Sequence, residues 1–244
     1  MAAVALMLTS LVGIAAQAPS LGIKHDEQPP TIEESLKRLG IALTRPELVS
    51  ALRNANPEVR WLAAQKLAQD RIGDAVPAIL QALSTEKVDK VRVNMAFSLA
   101  QLGEEKGLAV LQEVCRDTNL PAYRRMDAAR NLVLFLNRED ETCRKALVEI
   151  LQSQPDPDSL REAASLLRRF RDLSEEESQT IFHAAVGALA APGPSLRLAA
   201  AITLGEIGNT SAIPYLQRAV AKEQSEVVRS QMLADLQKLK RNKP

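Results

Sequence analysis

Aromatic side chains are scarce: four Phe, two Tyr and one Trp make up 3% of the 244 residues. Large single-core domains lean on those rings, because each buries much area. Their scarcity, beside a hydrophobic content of 46%, points to thin, close-packed layers of Ala, Leu, Val and Ile and argues against disorder. Histidine is nearly missing. His25 and His183 are the only two, which leaves little for an imidazole-based active site or a zinc centre. Net charge is also small, +1 from 31 basic and 30 acidic residues. The chain as a whole therefore has no general attraction for nucleic acid or anionic lipid. Cys115 and Cys143 are the only cysteines, an even count that invites a disulfide in an exported chain.

From Met1 to Ile23 the sequence lacks any charge, and Ala2 to Ala16 is strongly apolar. Ala16-Gln17-Ala18 then offers a small-x-small sequence suited to signal peptidase, followed by Pro19. Residues 1–18 read as a signal peptide, although no Lys or Arg precedes the apolar run. An uncleaved membrane anchor and a plain apolar tail are the other readings. The expected location is exported, periplasmic or secreted, with membrane contact only if the segment stays uncleaved. No Cys near the cleavage site supports a lipid anchor. Residues 19–30 form a polar linker.

Beyond the linker the sequence repeats. Val59-Arg60-Trp61-Leu62-Ala63-Ala64 returns as Val91-Arg92-Val93-Asn94-Met95-Ala96 and as Leu196-Arg197-Leu198-Ala199-Ala200-Ala201. Arg125 and Arg229 fit the same register, and Leu160 takes the Arg slot in one unit. The slots fall at 60, 92, 125, 160, 197 and 229, so the spacings are 32, 33, 35, 37 and 32. Pro77 and Pro214 stand equally far past their slots, Arg60 and Arg197, just beyond Gly73 and Gly208. Gly closes one helix as a left-handed cap and Pro is tolerated in the first turn of the next, so each unit is helix, turn, helix.

The run Val-Arg-x-x-Ala-Ala-x-x-Leu-x-x-x-x-x-Gly-Asp-Ala-Val-Pro, Val59 to Pro77, resembles the HEAT-like repeat of the phycobilisome-lyase type. The resemblance covers about 44–240. It implies an all-α, right-handed α-α superhelix, a HEAT/armadillo-like solenoid of about six helix pairs, led by a capping helix over 31–43 and followed by a tail at 241–244. First helices are expected near 46–54, 75–84, 106–116, 140–152, 175–190 and 211–222. Second helices are expected near 57–71, 89–102, 121–136, 158–170, 195–207 and 225–240. Thr31-x-x-Glu34, Thr44-x-x-Glu47 and Ser174-x-x-Glu177 read as capping boxes. The motif is a packing code: small residues admit the neighbouring helix, and positions −1, +3, +4 and +7 around the Arg slot form one apolar face. The family often has an acid six residues before the Arg. Here that position holds Asn54, Glu86, Asn119, Gln154, Ala191 and Glu223, so any acid–Arg ladder is incomplete.

Nothing in the sequence assembles an active site. One HEAT-like metalloenzyme family, deoxyhypusine hydroxylase, takes its iron ligands from His-Glu pairs, and no His-Glu dipeptide occurs here. A phosphate loop, a zinc-spaced Cys pair and a nucleophile elbow are likewise missing. No cofactor and no metal are expected. His25 reads as solvent-exposed and His183 as a helix-surface histidine. In this repeat type the second helices line the concave face, and positions +2, +6 and +9 from the slot should point into it. The candidate partner-binding residues are Lys66, Gln69, Asn94, Ser98, Gln101, Asp127, Asn131, Glu162, Arg169, Thr203 and Glu206. Polar, neutral side chains dominate the middle of that ladder, which suits a protein or peptide partner rather than nucleic acid. Trp61 is expected to pack between the capping helix and the first pair.

The resulting expectation is a non-catalytic protein–protein interaction scaffold. A bilin-lyase-like protein and a purely structural spacer in the cell envelope are the alternatives. The cysteines are expected to remain free thiols. Counted from their slots they are five residues out of register on neighbouring helices, which would place their Cα atoms roughly 11–12 Å apart.

Overall fold

A computed structural model describes residues 29–241 of the protein. The readings of the signal segment and of His25 fall outside those residues. Helix takes up 75% of the chain described and no strand occurs in it. A short helix α1 (Ile32–Arg38) leads six helix pairs. The pairs are α2 (Arg45–Ala51) with α3 (Pro57–Gln69), α4 (Val76–Thr85) with α5 (Asp89–Gln101), and α6 (Glu105–Arg116) with α7 (Ala122–Arg130). They continue as α8 (Glu141–Gln152) with α9 (Pro157–Leu167), α10 (Glu175–Ala188) with α11 (Pro194–Ile207), and α12 (Ile213–Lys222) with α13 (Glu226–Arg241). The second helices contact one another in order, α1 on α3, then α5, α7, α9, α11 and α13. The result is a HEAT-like all-α solenoid.

The helix ends show which sequence signals act. Thr31 with Glu34 and Ser174 with Glu177 form reciprocal capping boxes. Thr44 does not: its side chain makes no cap bond. Gly208 caps α11 in the left-handed region with φ 73°, as its position suggests, but Gly73 does not take that role. In the first full repeat the left-handed residue is Arg71, φ 54°, and in the second it is Gly103, φ 85°. Arg71, Gly103 and Gly208 all occupy position +11 from their slots, whereas Gly73 is at +13. Register, not the nearest glycine, sets the cap.

Packing follows the small-residue code. Ala64, Ala96, Ala129, Ala164 and Ala201, each at +4 from a slot, are all buried. Bulk at that column would force helices apart. Gly107 carries the closest approach. A Cβ there would stand 2.6 Å from the Ala100 backbone nitrogen and closer still to the Ala96 carbonyl. α6 therefore lies directly against α5. The core falls into an N-terminal cluster centred on Leu36, Leu48, Leu67, Ile79 and Leu99 and a longer cluster from Val93 to Leu239, which divide within α5.

Candidate binding surface and the joints that position it

The Arg slot is a clasp between repeats. Arg60 donates Nη1 to the carbonyls of Asn54 and Ala55, 2.9 and 3.1 Å, which fixes the turn before its own helix. Its Nε and Nη2 reach Glu86 of the following repeat at 2.7 and 2.8 Å. Arg197 does the same in the fifth repeat. Nη1 meets the carbonyls of Ala191 and Pro192 at 2.9 and 2.8 Å, and Nε and Nη2 meet Glu223 at 2.6 and 2.8 Å. A planar guanidinium facing a carboxylate two-on-two is the strongest geometry available to such a pair. Both acids are nearly covered. The Arg197 contact holds the Glu223 carboxyl down at about 2, against the burial that would raise it. Burial also works to raise Glu86, but Arg60 and the Val88 and Lys87 amides outweigh it and lower its pKa. Glu86 and Glu223 are the only two acids at −6 from a slot, so the incomplete ladder read from the sequence is complete where it exists.

The central joint is built differently, and here the expectation of free thiols is overturned. Cys115 and Cys143 form a disulfide with Cα atoms 5.0 Å apart, inside the range a bridge needs. Two assumptions failed. The helices are not in equal register: the last turn of α6 meets the first turn of α8, as the 2.5 Å bond from Gln112 Nε2 to Asp140 also shows. And the spacing of helix axes is not the spacing of facing Cα atoms. Each lies about 2.3 Å off its axis, so inward-facing ones approach to roughly 4–5 Å. Arg125, in the slot of this repeat, donates Nε to the Cys115 carbonyl at 2.7 Å and Nη2 to Glu149 at 2.7 Å.

The expected groove residues divide into three sets. Lys66, Ser98, Asn131 and Thr203, all at +6, are buried. This corrects the face assigned to them: +6 points into the stack, not at solvent. Lys66 shows what the position does, since its Nζ pairs with Glu33 of α1 at 2.8 Å and with Asp70 at 2.6 Å, pinning the capping helix. Asn94, Asp127 and Glu162 at +2 are half-buried. Asp127 and Glu162 belong to a network in which Arg130 donates Nη1 to Asp127 at 2.9 Å and Nε to Glu162 of α9 at 2.6 Å. Gln69, Gln101, Arg169 and Glu206 at +9 are exposed, as expected. The open stripe on these helices thus runs through −2 and +9, with +5 partly open between them. It is rotated from the expected stripe by about half of one residue's step.

That stripe carries a feature the periodicity could not show. Residues Asn131–Phe135 form a π turn, closed by the Leu136 amide on the Asn131 carbonyl at 3.0 Å. The extra residue breaks the 3.6 register, so two successive apolar side chains emerge together. Leu134 is 44% exposed and Phe135 62%, with the Phe135 ring 5.7 Å from that of buried Phe97. At the other end of α7, Tyr123 is 57% exposed and Arg124 lies over its ring at 5.0 Å. A chain so poor in aromatics presents two of them around one helix near the middle of the stack. Trp61 is half-buried against the N-terminal core and has Lys90 of α5 over its ring at 5.6 Å, so it also serves the joint to the following repeat.

Among the described residues no three His, Cys, Asp or Glu side chains converge to hold a metal. His183 is exposed and sits edge-on to Phe182, ring centres 5.7 Å apart. It borders an open cavity of about 630 Å³ between α8 and α10, lined by Leu151, Thr180, Ala184, Ala188 and Leu196. No described helix is long and apolar enough to cross a membrane.

Paired helices, a repeating Arg slot and an alanine column define a helical repeat scaffold. The sequence profile of the HEAT repeats family matches residues 45–133 and 144–237, and the chain belongs to that family. No curated protein sequence matches it. Solved structures similar in fold include the following three. Human deoxyhypusine hydroxylase in complex with glycerol is 22% identical, with 80% of this chain and 73% of that one covered and a TM-score of 0.38. The complex of CpcE and CpcF of phycocyanin lyase from Nostoc sp. PCC7120 is 19% identical, covering 89% and 98% with a TM-score of 0.35. YibA of E. coli is 15% identical, covering 87% and 99% with a TM-score of 0.46.

Proposed function

We propose that the protein is a non-catalytic, exported scaffold that binds a partner protein or peptide on the second-helix face around α7. The observation that carries this reading is the exposure of Tyr123, Leu134 and Phe135 around one helix of an aromatic-poor chain. Tyrosine, arginine and other large anchors ringed by neutral polar groups are the usual make-up of a protein-binding centre. Here the ring is supplied by Asn94, Gln101 and a charge-balanced network of Arg124 and Arg130 with Asp127 and Glu162. A face of mixed sign does not suit a polyanion. Export is supported by the uncharged apolar segment at 1–23 and by the Cys115–Cys143 bridge, since such bonds persist in oxidising compartments.

Crosslinking in an envelope extract, followed by mass spectrometry, tests the reading with the full chain as bait. A defined partner is expected with the wild-type protein and with a Gln217→Ala control on α12. Its recovery should fall about tenfold or more with Tyr123→Ala combined with Phe135→Ala, while the circular dichroism of that variant stays unchanged. Equal recovery with the double variant would remove α7 from the binding face, and no specific crosslink at all would favour a spacer.

A further inference from the structure

The two ends of the solenoid are finished differently. At the N-terminal end α1 covers α3 and turns Glu34, Lys37 and Arg38 outward, a charged cap of the kind a repeat array needs in water. At the other end, no described helix covers the outer face of α13. In the five preceding repeats the +4 position is a buried alanine, but in α13 it is Leu233, 41% exposed. Val227 on the same helix is 71% exposed. With Ser230, Ala234 and Gln237 they make one stripe, spaced three and four apart and uncharged from Val227 to Gln237, with Lys238 and Lys240 at its edges. Spacing of this kind is what a helix shows to another helix.

The ends of that stripe say which helix. Glu226 stands at its start and Arg241 at its finish, both exposed and within about 60° of Ser230 on the helix wheel at 100° per residue. The midpoint between residues 226 and 241 falls between Leu233 and Ala234. A second α13 laid antiparallel across that midpoint puts Leu233 and Ala234 against their own copies and brings each Glu226 to the other copy's Arg241. The helix is thus self-complementary under a two-fold axis, as an isologous interface must be. The charged N-terminal cap offers no matching apolar surface, so head-to-tail growth has no counterpart face.

We infer that a second copy of this chain covers α13, forming an antiparallel tail-to-tail dimer about a two-fold axis between Leu233 and Ala234. One helix pair with its flanks is at the small end of specific interfaces, so the dimer should dissociate in the range of about 1–100 μM. Sedimentation velocity of the full chain across that range is the test. Wild-type protein is expected to pass from monomer to dimer. Leu233→Asp should stay monomeric throughout with an unchanged thermal melt, because the side chain lies outside the core. Glu226→Lys should weaken association about tenfold, and adding Arg241→Glu should restore it. Orientation is read separately. Ala234→Cys, near the axis, should oxidise to a covalent dimer, whereas Val227→Cys, about 20 Å from its copy, should not. A wild-type chain monomeric at several hundred μM would overturn the proposal, as would a dimer that survives Leu233→Asp or equal crosslinking at both cysteine positions.

Discussion

The first and last joints of the solenoid use one device, and the middle joint uses another. Arg60–Glu86 and Arg197–Glu223 are the same clasp at equivalent register, with each Arg tied to two carbonyls behind it and one carboxylate ahead. At the joint between α6 and α8 Gln154 replaces the acid before the following slot, Arg125 reaches Glu149 through Nη2 alone, and a covalent bridge is added. The clasp binds two turns through a charge that must stay ionised. The bridge binds two helix ends regardless of pH but depends on oxidation. One array therefore combines joints that fail under different conditions, and each kind can be broken without touching the other.

The largest effect is expected at the bridge. Replacing both cysteines by alanine reopens a loop with a sequence separation of 28. For a loop of that size the loss is about 3–4 kcal/mol, and a urea midpoint compared with the wild type will show it. Thiol counting on the denatured, non-reduced chain should find none.

Glu223→Gln should lower the melting temperature, by less than loss of the bridge does, because it leaves the Arg197 guanidinium facing a neutral amide. The same carboxylate gives the joint its pH dependence. The Glu223 carboxyl is lowered to about 2 by Arg197, and Glu177 is lowered to about 2 by its bond with Arg144 of α8. A depressed folded value means that their stabilisation is complete above the ordinary carboxylate value near 4.5 and is lost as pH falls through the interval toward 2. Thermal midpoints should drop over that interval in the wild type and fall less steeply in Glu223→Gln. Asp235 works the other way. Burial against α11 raises its pKa, so its own contribution to stability grows as pH falls toward its ordinary value near 3.8 and opposes that loss.

A smaller effect, of opposite sign, is expected at Arg71. Its left-handed backbone costs a non-glycine residue about 1 kcal/mol, and the equivalent positions are Gly103 and Gly208. Arg71→Gly should raise the melting temperature by a few degrees if register governs the cap. A lower midpoint would mean that the Arg71 side chain contributes more than its backbone costs.

The helix pairs, the Arg register and the alanine column were legible in the sequence, because spacing alone fixes which residues share a helix face. So was the incompleteness of the acid ladder, since it needed only the residue at −6 from each slot. The rotation of the open stripe was not legible. A helix wheel gives angles between residues but not the direction of the neighbouring helix, and Ser98 and Thr203 look as polar as exposed residues would. The α7 surface was hidden because a π turn is one inserted residue with no composition of its own. The bridge was missed through an assumed common register: Cys115 lies in the last turn of α6 and Cys143 in the first turn of α8, and a count of residues from the Arg slots carries no axial shift between the two helices.

Hydrogen exchange followed by mass spectrometry, on oxidised and reduced protein at neutral pH, tests the division of joints most directly. Reduction should deprotect amides of α6 and of the first turns of α8, while α3 and α11, held by their clasps, keep their protection. Exchange that rises equally along all the helices, or does not change at all, would contradict a solenoid joined by clasps at its ends and a covalent bridge in its middle.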